Sequence, residues 1–151
     1  MSLDNRKAVF GYTFILNGAA ISWLSKQQEI VSLSTTEAEY IALIYIAKEV
    51  IWFCNFLSKL ISPIVFPLNI YNNNQSAISL AHTELGQFYA RTKHIDIHYH
   101  FIYKKIKDSM IEVTYCPTNK MTADILTKLL SSYKFKPLIH ALGLISAWES
   151  V

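Results

Sequence analysis

Apolar positions come first in short runs and later in a repeat of three to four residues, so the chain opens as strand and continues as helix. Gly11 to Leu16 is rich in aromatic and β-branched residues and stops at Asn17-Gly18, after which Ala20 to Leu24 resumes the pattern. An Asn-Gly pair between two such runs predicts a tight hairpin turn. Ser25 to Ser34 is polar and is expected to end the hairpin sheet. Ser34-Thr35-Thr36-Glu37 then fits a capping box, with Ser34 as N-cap and Glu37 reaching back. Ile41, Ile44, Ala47, Ile51, Cys54 and Leu57 line one face of the long helix that follows.

Pro63 and Pro67 punctuate a loop, and Leu68 to Tyr71 reads as a short strand running into Asn72-Asn73-Asn74-Gln75. Ser76 to His82 predicts a short helix. Arg91 to Lys107 predicts another, with Ile95, Tyr99, Ile102 and Ile106 on its apolar side. Ile111 to Cys116 reads as a strand closed by Pro117, Thr122 to Leu130 as a regular helix, and Ser131 to Leu144 as one more short helical stretch. The order β-β-α-β-α-α-β-α, without repeats or linkers, predicts a single α/β domain over residues 1–151. Trp23, Trp52 and Phe53 are expected in its core.

Composition narrows the class. The chain has 151 residues, 52% of them hydrophobic and 17% charged, which excludes a disordered tail. Lys48 and Glu49 interrupt the longest apolar stretches well short of the ~20 residues of a membrane span, so no membrane partner is expected. Met-Ser-Leu-Asp-Asn-Arg-Lys at the start is charged and unlike a secretion signal. Together with only two cysteines, Cys54 and Cys116, it points to an intracellular home in cytoplasm or nucleus. Residues 1–86 carry five Lys or Arg against six Asp or Glu, and residues 87–151 carry nine against five. The second half is therefore the basic one and hints at an anionic partner.

Candidate chemistry sits at three element ends. Glu37 or Glu39 opens the long helix, Asn72 to Asn74 end a strand, and Asp124 opens a late helix. Carboxylates gathered at such ends hold hard cations such as magnesium, and two ions about 4 Å apart can clamp a phosphodiester. The middle position, however, is amide. His94 and His98 are four apart on a helix, with His100 close by, but they lack the third and fourth ligands a zinc site needs. They read as solvated or packing side chains.

Five blocks in order resemble the ribonuclease H domain of copia-type retrotransposon Pol polyproteins. They are Ile21-Ser22-Trp23-Leu24-Ser25-Lys26-Gln27-Gln28; Ser32 to Leu43 around Thr36-Glu37-Ala38-Glu39-Tyr40; Asn74-Gln75-Ser76-Ala77-Ile78; Arg91-Thr92-Lys93-His94-Ile95-Asp96-Ile97 with Tyr99-His100-Phe101-Ile102; and Ala123-Asp124-Ile125 with Thr127-Lys128. The likeness runs from about residue 6 to 144. It implies a ribonuclease H-like mixed sheet flanked by helices, and two-magnesium cleavage of the RNA strand of an RNA–DNA hybrid by four carboxylates. By motif, Glu39 and Asp124 are the catalytic, metal-binding carboxylates. Local geometry agrees about Glu39, because two helix positions differ by about 200° and Glu37 already caps.

The chain departs from that family twice. Asn73 stands where the family has an aspartate, and an amide brings no negative charge. The family's first, central strand, with its aspartate, lies upstream of the segment matching Asn5-Arg6-Lys7 and is expected to be missing. Two carboxylates facing two dications should bind magnesium poorly, so the nuclease is read as lost. Arg91, Lys93, His94, Lys104 and Lys105 remain as candidate contacts to RNA–DNA hybrid or other nucleic acid. A sheet without its central strand bares backbone groups that a second copy could pair, giving a homodimer by strand borrowing. An active magnesium-dependent hybrid nuclease and a fragment that binds protein alone are the alternatives.

Overall fold

The computed structural model describes residues 7–29, 31–32, 34–60, 64–84 and 93–144, with backbone alone for 93–99. It is a mixed α/β structure with two small sheets and, among the described residues, five α-helices. The chain divides into two compact units. The described residues of Met1–Ser32 and Cys116–Val151 form one, and those of Leu33–Tyr115 form the other.

The first unit begins with the expected hairpin. Strands β1 (Val9–Leu16) and β2 (Ala19–Gln27) pair antiparallel with Tyr12 opposite Leu24 and Phe14 opposite Ser22. Asn17 and Gly18 both have positive φ (51° and 80°), as the tight turn between right-twisted strands requires. β2 runs three residues past the predicted end. Polar Ser25 stays in the ladder and its hydroxyl donates to the Leu126 carbonyl at 2.8 Å. Phe10 and Tyr12 point to the buried face, where Tyr12 stacks on Phe14. Alternation along β2 sends Trp23 to the opposite face, 63% exposed, contrary to the expectation that it is core.

After a 3-10 turn (Thr118–Lys120) the late helix is a single turn, α4 (Asp124–Thr127), not the longer helix the sequence predicts. Thr122, a natural helix-start residue, bonds the Thr13 hydroxyl at 2.7 Å instead of capping. Helix α5 (Ser132–Ala141) follows and ends in a Schellman motif, with Gly143 N–H donating to His140 O and Leu144 N–H to Ile139 O. Gly143 has φ +75°, and a Cβ there would run into the Gly18 carbonyl oxygen. Next to it, Ala20 N–H donates to Leu142 O at 2.9 Å, tying the hairpin to the end of α5.

The second unit holds the apolar core. Helix α1 (Thr35–Leu60) starts where the capping box predicts, with Glu37 N–H donating to Ser34 Oγ at 3.1 Å. Its buried residues are Tyr40, Ala42, Leu43, Ile44, Ala47 and Cys54. Ile44, Ala47 and Cys54 of the predicted face are buried, and Tyr40 and Leu43 join them, whereas Ile41, Ile51 and Leu57 are half-buried. By length and composition α1 could cross a membrane, yet its Tyr40-to-Ala47 stretch packs in this core. Trp52 lies about 200° from Cys54 around the helix. It stands 57% exposed, stacked on Phe56, while Phe53 is half-buried, so Trp52 too departs from the core expectation.

Strands β3 (Leu68–Asn72) and β4 (Ile111–Tyr115) pair parallel, joined through α2 (Gln75–His82) and α3 (Lys93–Lys107). Ile70 and Val113 face each other in register and are buried with Leu43, Ala47, Ala81 and Ile102. Both strands alternate in burial, with Ile70 and Asn72 inward and Asn69 and Tyr71 outward, and with Ile111 and Val113 inward and Glu112 and Thr114 outward. Among the described residues each sheet has two strands, so β3 and β4 each pair with one neighbour.

Candidate functional site

The sequence places candidate residues in both units, and each local setting has its own chemistry. In the second unit, Glu39 is half-buried one turn into α1, and Asn73 is half-buried just beyond β3. The flanking asparagines have structural work. Buried Asn72 accepts the Asn74 N–H at 2.7 Å, and Asn74 is the N-cap of α2, accepting the Ala77 N–H at 3.0 Å. Asparagine at an N-cap satisfies one of the helix's orphan donors. The sequence carries that signal as an asparagine just before the predicted helix. Asn73 therefore sits on a fixed bend but presents an amide.

In the first unit, Asp124 is buried at the start of α4. Its Oδ1 accepts a hydrogen bond from the Lys128 ammonium at 2.9 Å, and Lys128 N–H also donates to the Asp124 carbonyl at 3.0 Å. The carboxylate thus has a cation within the chain. An acid and a lysine four residues apart on a helical turn is the sequence signal for this pair. Cys116, half-buried, lies in the same surroundings. Burial pushes its thiol up, Lys120 pulls it down, and the negative charge of Asp124 raises it again.

Asn73 is neutral, Asp124 is engaged by Lys128, and within either unit no three His, Cys, Asp or Glu side chains gather among the described residues. Hard dications take six or more oxygen ligands, mostly charged or carbonyl.

The basic candidates lie on α3. Arg91 is outside the described residues; Lys93 and His94 lie in the first turn of α3 by backbone, with their side chains outside the described set. Lys104 is exposed and Lys105 half-buried. Two further residues join them that the sequence reading left out of the site. Lys48 of α1 and Lys105 each place an ammonium 5.9 Å from the centre of the Phe101 ring, and Lys107 lies 5.8 Å over Tyr103. The C-terminal half of α3 thus presents lysines interleaved with aromatic faces.

The chain is similar along nearly its whole length to three retrotransposon polyproteins. It is 43% identical over 144 residues, 95% of its length, to the retrovirus-related Pol polyprotein from transposon TNT 1-94 of Nicotiana tabacum, covering 11% of that protein. It is 34% identical over 94% of its length to the corresponding polyprotein from transposon RE2 of Arabidopsis thaliana, covering 10% of it. With that from transposon RE1 of the same plant it shares 35% over 93% of its length, or 9% of the relative. Its homologues are copia-type retrotransposon Pol polyproteins, of which it spans about a tenth. No family model matches the chain, and no solved structure does.

Proposed function

We propose that this chain is a ribonuclease H-like segment of retrotransposon origin that binds RNA–DNA hybrid, or related nucleic acid, without cutting it. The observation that carries the binding half is the set of lysines around the C-terminal half of α3, with Lys48 and Lys105 beside Phe101 on one flank, Lys107 beside Tyr103 about 200° round on the other, and exposed Lys104 between them. Lysines neutralise phosphates without any metal, and rings interleaved with them offer faces for base or sugar. The half that denies cleavage rests on Asn73, which brings no charge where the resemblance calls for an aspartate. Phosphodiester hydrolysis by two metals needs clustered carboxylates to hold them; magnesium has no role in this reading. Similarity to Pol polyproteins supports a nucleic-acid setting.

The reading places the protein inside the cell with both thiols free, and treats α1 as a core helix with no membrane partner. The two-stranded sheets support a homodimer in which a second copy adds a strand to β3 or β4. A monomer by size-exclusion light scattering would remove that part.

Anisotropy titrations of a labelled RNA–DNA hybrid at about 50 and about 200 mM salt test the binding. Salt-sensitive affinity is expected, with Lys104→Ala/Lys107→Ala lowering the log–log salt slope by about 2, since each lost phosphate contact removes about 0.9. Binding that ignores salt, or its absence, would favour a fragment that contacts protein alone.

A further inference from the structure

α1 is apolar on two opposite sides. Trp52 and Phe56 follow Leu43 and Ala47 by nine residues, which is about two and a half helical turns, so they stand on the far side of the helix from the core face. On that outer side Tyr45, Trp52, Phe56 and Leu60 are 39%, 57%, 46% and 64% exposed. Trp52 stacks on Phe56 with ring centroids 5.6 Å apart, and Phe53 meets both rings edge-on. A surface helix ordinarily turns polar side chains outward, and a contiguous apolar patch there marks a contact. We propose that a second copy of this chain covers it, the two α1 helices packing antiparallel about a two-fold axis at position 54.

The charges select that occupant and its register. Tyr45, Glu49, Trp52, Phe56 and Lys59 recur in steps of four and three, the spacing of a seam between paired helices. Trp52 and Phe56 lie symmetrically about position 54, and so do Glu49 and Lys59. An antiparallel copy centred there sets Trp52 against the partner's Phe56 and Phe56 against the partner's Trp52. One layer further out at each end, Glu49 meets the partner's Lys59. A parallel copy would set glutamate on glutamate and lysine on lysine, which repel. Self-complementarity of this kind is what a two-fold interface requires. Neither Glu49 nor Lys59 has an ion-pair partner among the described residues of its own chain. Lys48, at the border of the seam, is engaged elsewhere, 5.9 Å from the centre of the Phe101 ring.

The exposed parts of the four side chains amount to on the order of 400 Å² per copy, since a whole aromatic residue offers about 150–250 Å². With Glu49 and Lys59 added, two copies bury about 1,000 Å², the size of a transient complex, so the dimer is weak and concentration-dependent. None of the seam residues belongs to the lysine set around α3, so the proposal stands apart from the nucleic-acid reading. It uses a helix face, where strand borrowing uses a sheet edge.

Sedimentation velocity on the whole chain, from about 1 µM to about 1 mM, is the test. Wild type should pass from monomer to dimer across this range. Trp52→Glu should stay monomeric while keeping wild-type circular dichroism. Glu49→Lys and Lys59→Glu should each dimerise about tenfold more weakly, because like charges then meet in both outer layers. Mixed in equal amounts, these two variants should recover the wild-type affinity, since each lysine now faces a glutamate. If Glu49→Lys fails to fold, Trp52→Glu and Lys59→Glu, both at exposed positions, decide alone. A wild-type chain monomeric throughout, a dimer indifferent to Trp52→Glu, or a mixture no tighter than its components would each overturn the proposal. Hybrid anisotropy run on Trp52→Glu bears on the nucleic-acid reading alone.

Discussion

The two compact units solve the packing problem by different means. The second gathers Tyr40, Leu43, Ile44, Ala47, Ile70, Ala81, Ile102, Ile111 and Val113 into one apolar cluster, covered by helices on a parallel strand pair. Among the described residues the first has fewer buried apolar side chains. It is held by named polar and close-range contacts: Thr13 on Thr122, Ser25 on Leu126, Ala20 on Leu142, Gly143 against Gly18, and Asp124 with Lys128. Burial is roughly additive and tolerant of shape, whereas a hydrogen bond of 2.7 to 2.9 Å is lost outright when one partner changes. The same contrast divides the candidate chemistry. At Asn73 the charge is absent by residue type, and at Asp124 it is present but compensated.

The largest expected effect is in the apolar unit. Leu43 is fully buried, and Leu43→Ala should cost about 2–5 kcal/mol in urea unfolding through lost transfer energy and the cavity left behind. If the variant unfolds with wild-type midpoint, the apolar cluster is not what holds that unit. Gly143→Ala should come next, at about 2 kcal/mol or more, because it adds a Cβ at a positive φ and against the Gly18 carbonyl. Hydrogen exchange locates this loss: Ala20 N–H should lose protection first, and unchanged protection there would remove the clamp from the account.

Asn74→Ala is smaller, about 1 kcal/mol, as expected for a lost N-cap, and Asn74→Asp should restore it. An Asn74→Ala variant as stable as wild type would leave the asparagine run without its structural explanation.

The smallest effect concerns the thiols. Burial raises the Cys54 thiol, so the folded chain keeps that proton to higher pH than the unfolded chain does. Its contribution is fully present below the unfolded value of about 8.5 and fades as pH rises through the folded value. Alkaline stability curves of wild type and Cys54→Ala should therefore change their separation between the unfolded and the folded values and run parallel above the latter. Parallel curves across the whole range would deny the shift.

Much of this was legible in the sequence, and for identifiable reasons. Asn17-Gly18 announced its turn because few residue pairs accept two positive φ values. Ser34 announced the start of α1 through a hydroxyl three residues before a glutamate. Trp23 and Trp52 were illegible because size and hydrophobicity do not say which face of a strand or helix a residue takes. The shortness of α4 was hidden in a tertiary bond, Thr122 to Thr13, that no local pattern records. Glu39, Asn73 and Asp124 were singled out by resemblance to a family; the Lys128 partner of Asp124 was available from spacing alone.

The central claim is binding without cleavage, and the most direct test is a gel time course with end-labelled RNA–DNA hybrid and excess protein, in Mg2+ and then in Mn2+. The account predicts full-length RNA at every time point from mixtures in which a native gel retains the hybrid as complex. RNA fragments that accumulate with the wild-type chain and vanish with Glu39→Gln would contradict it.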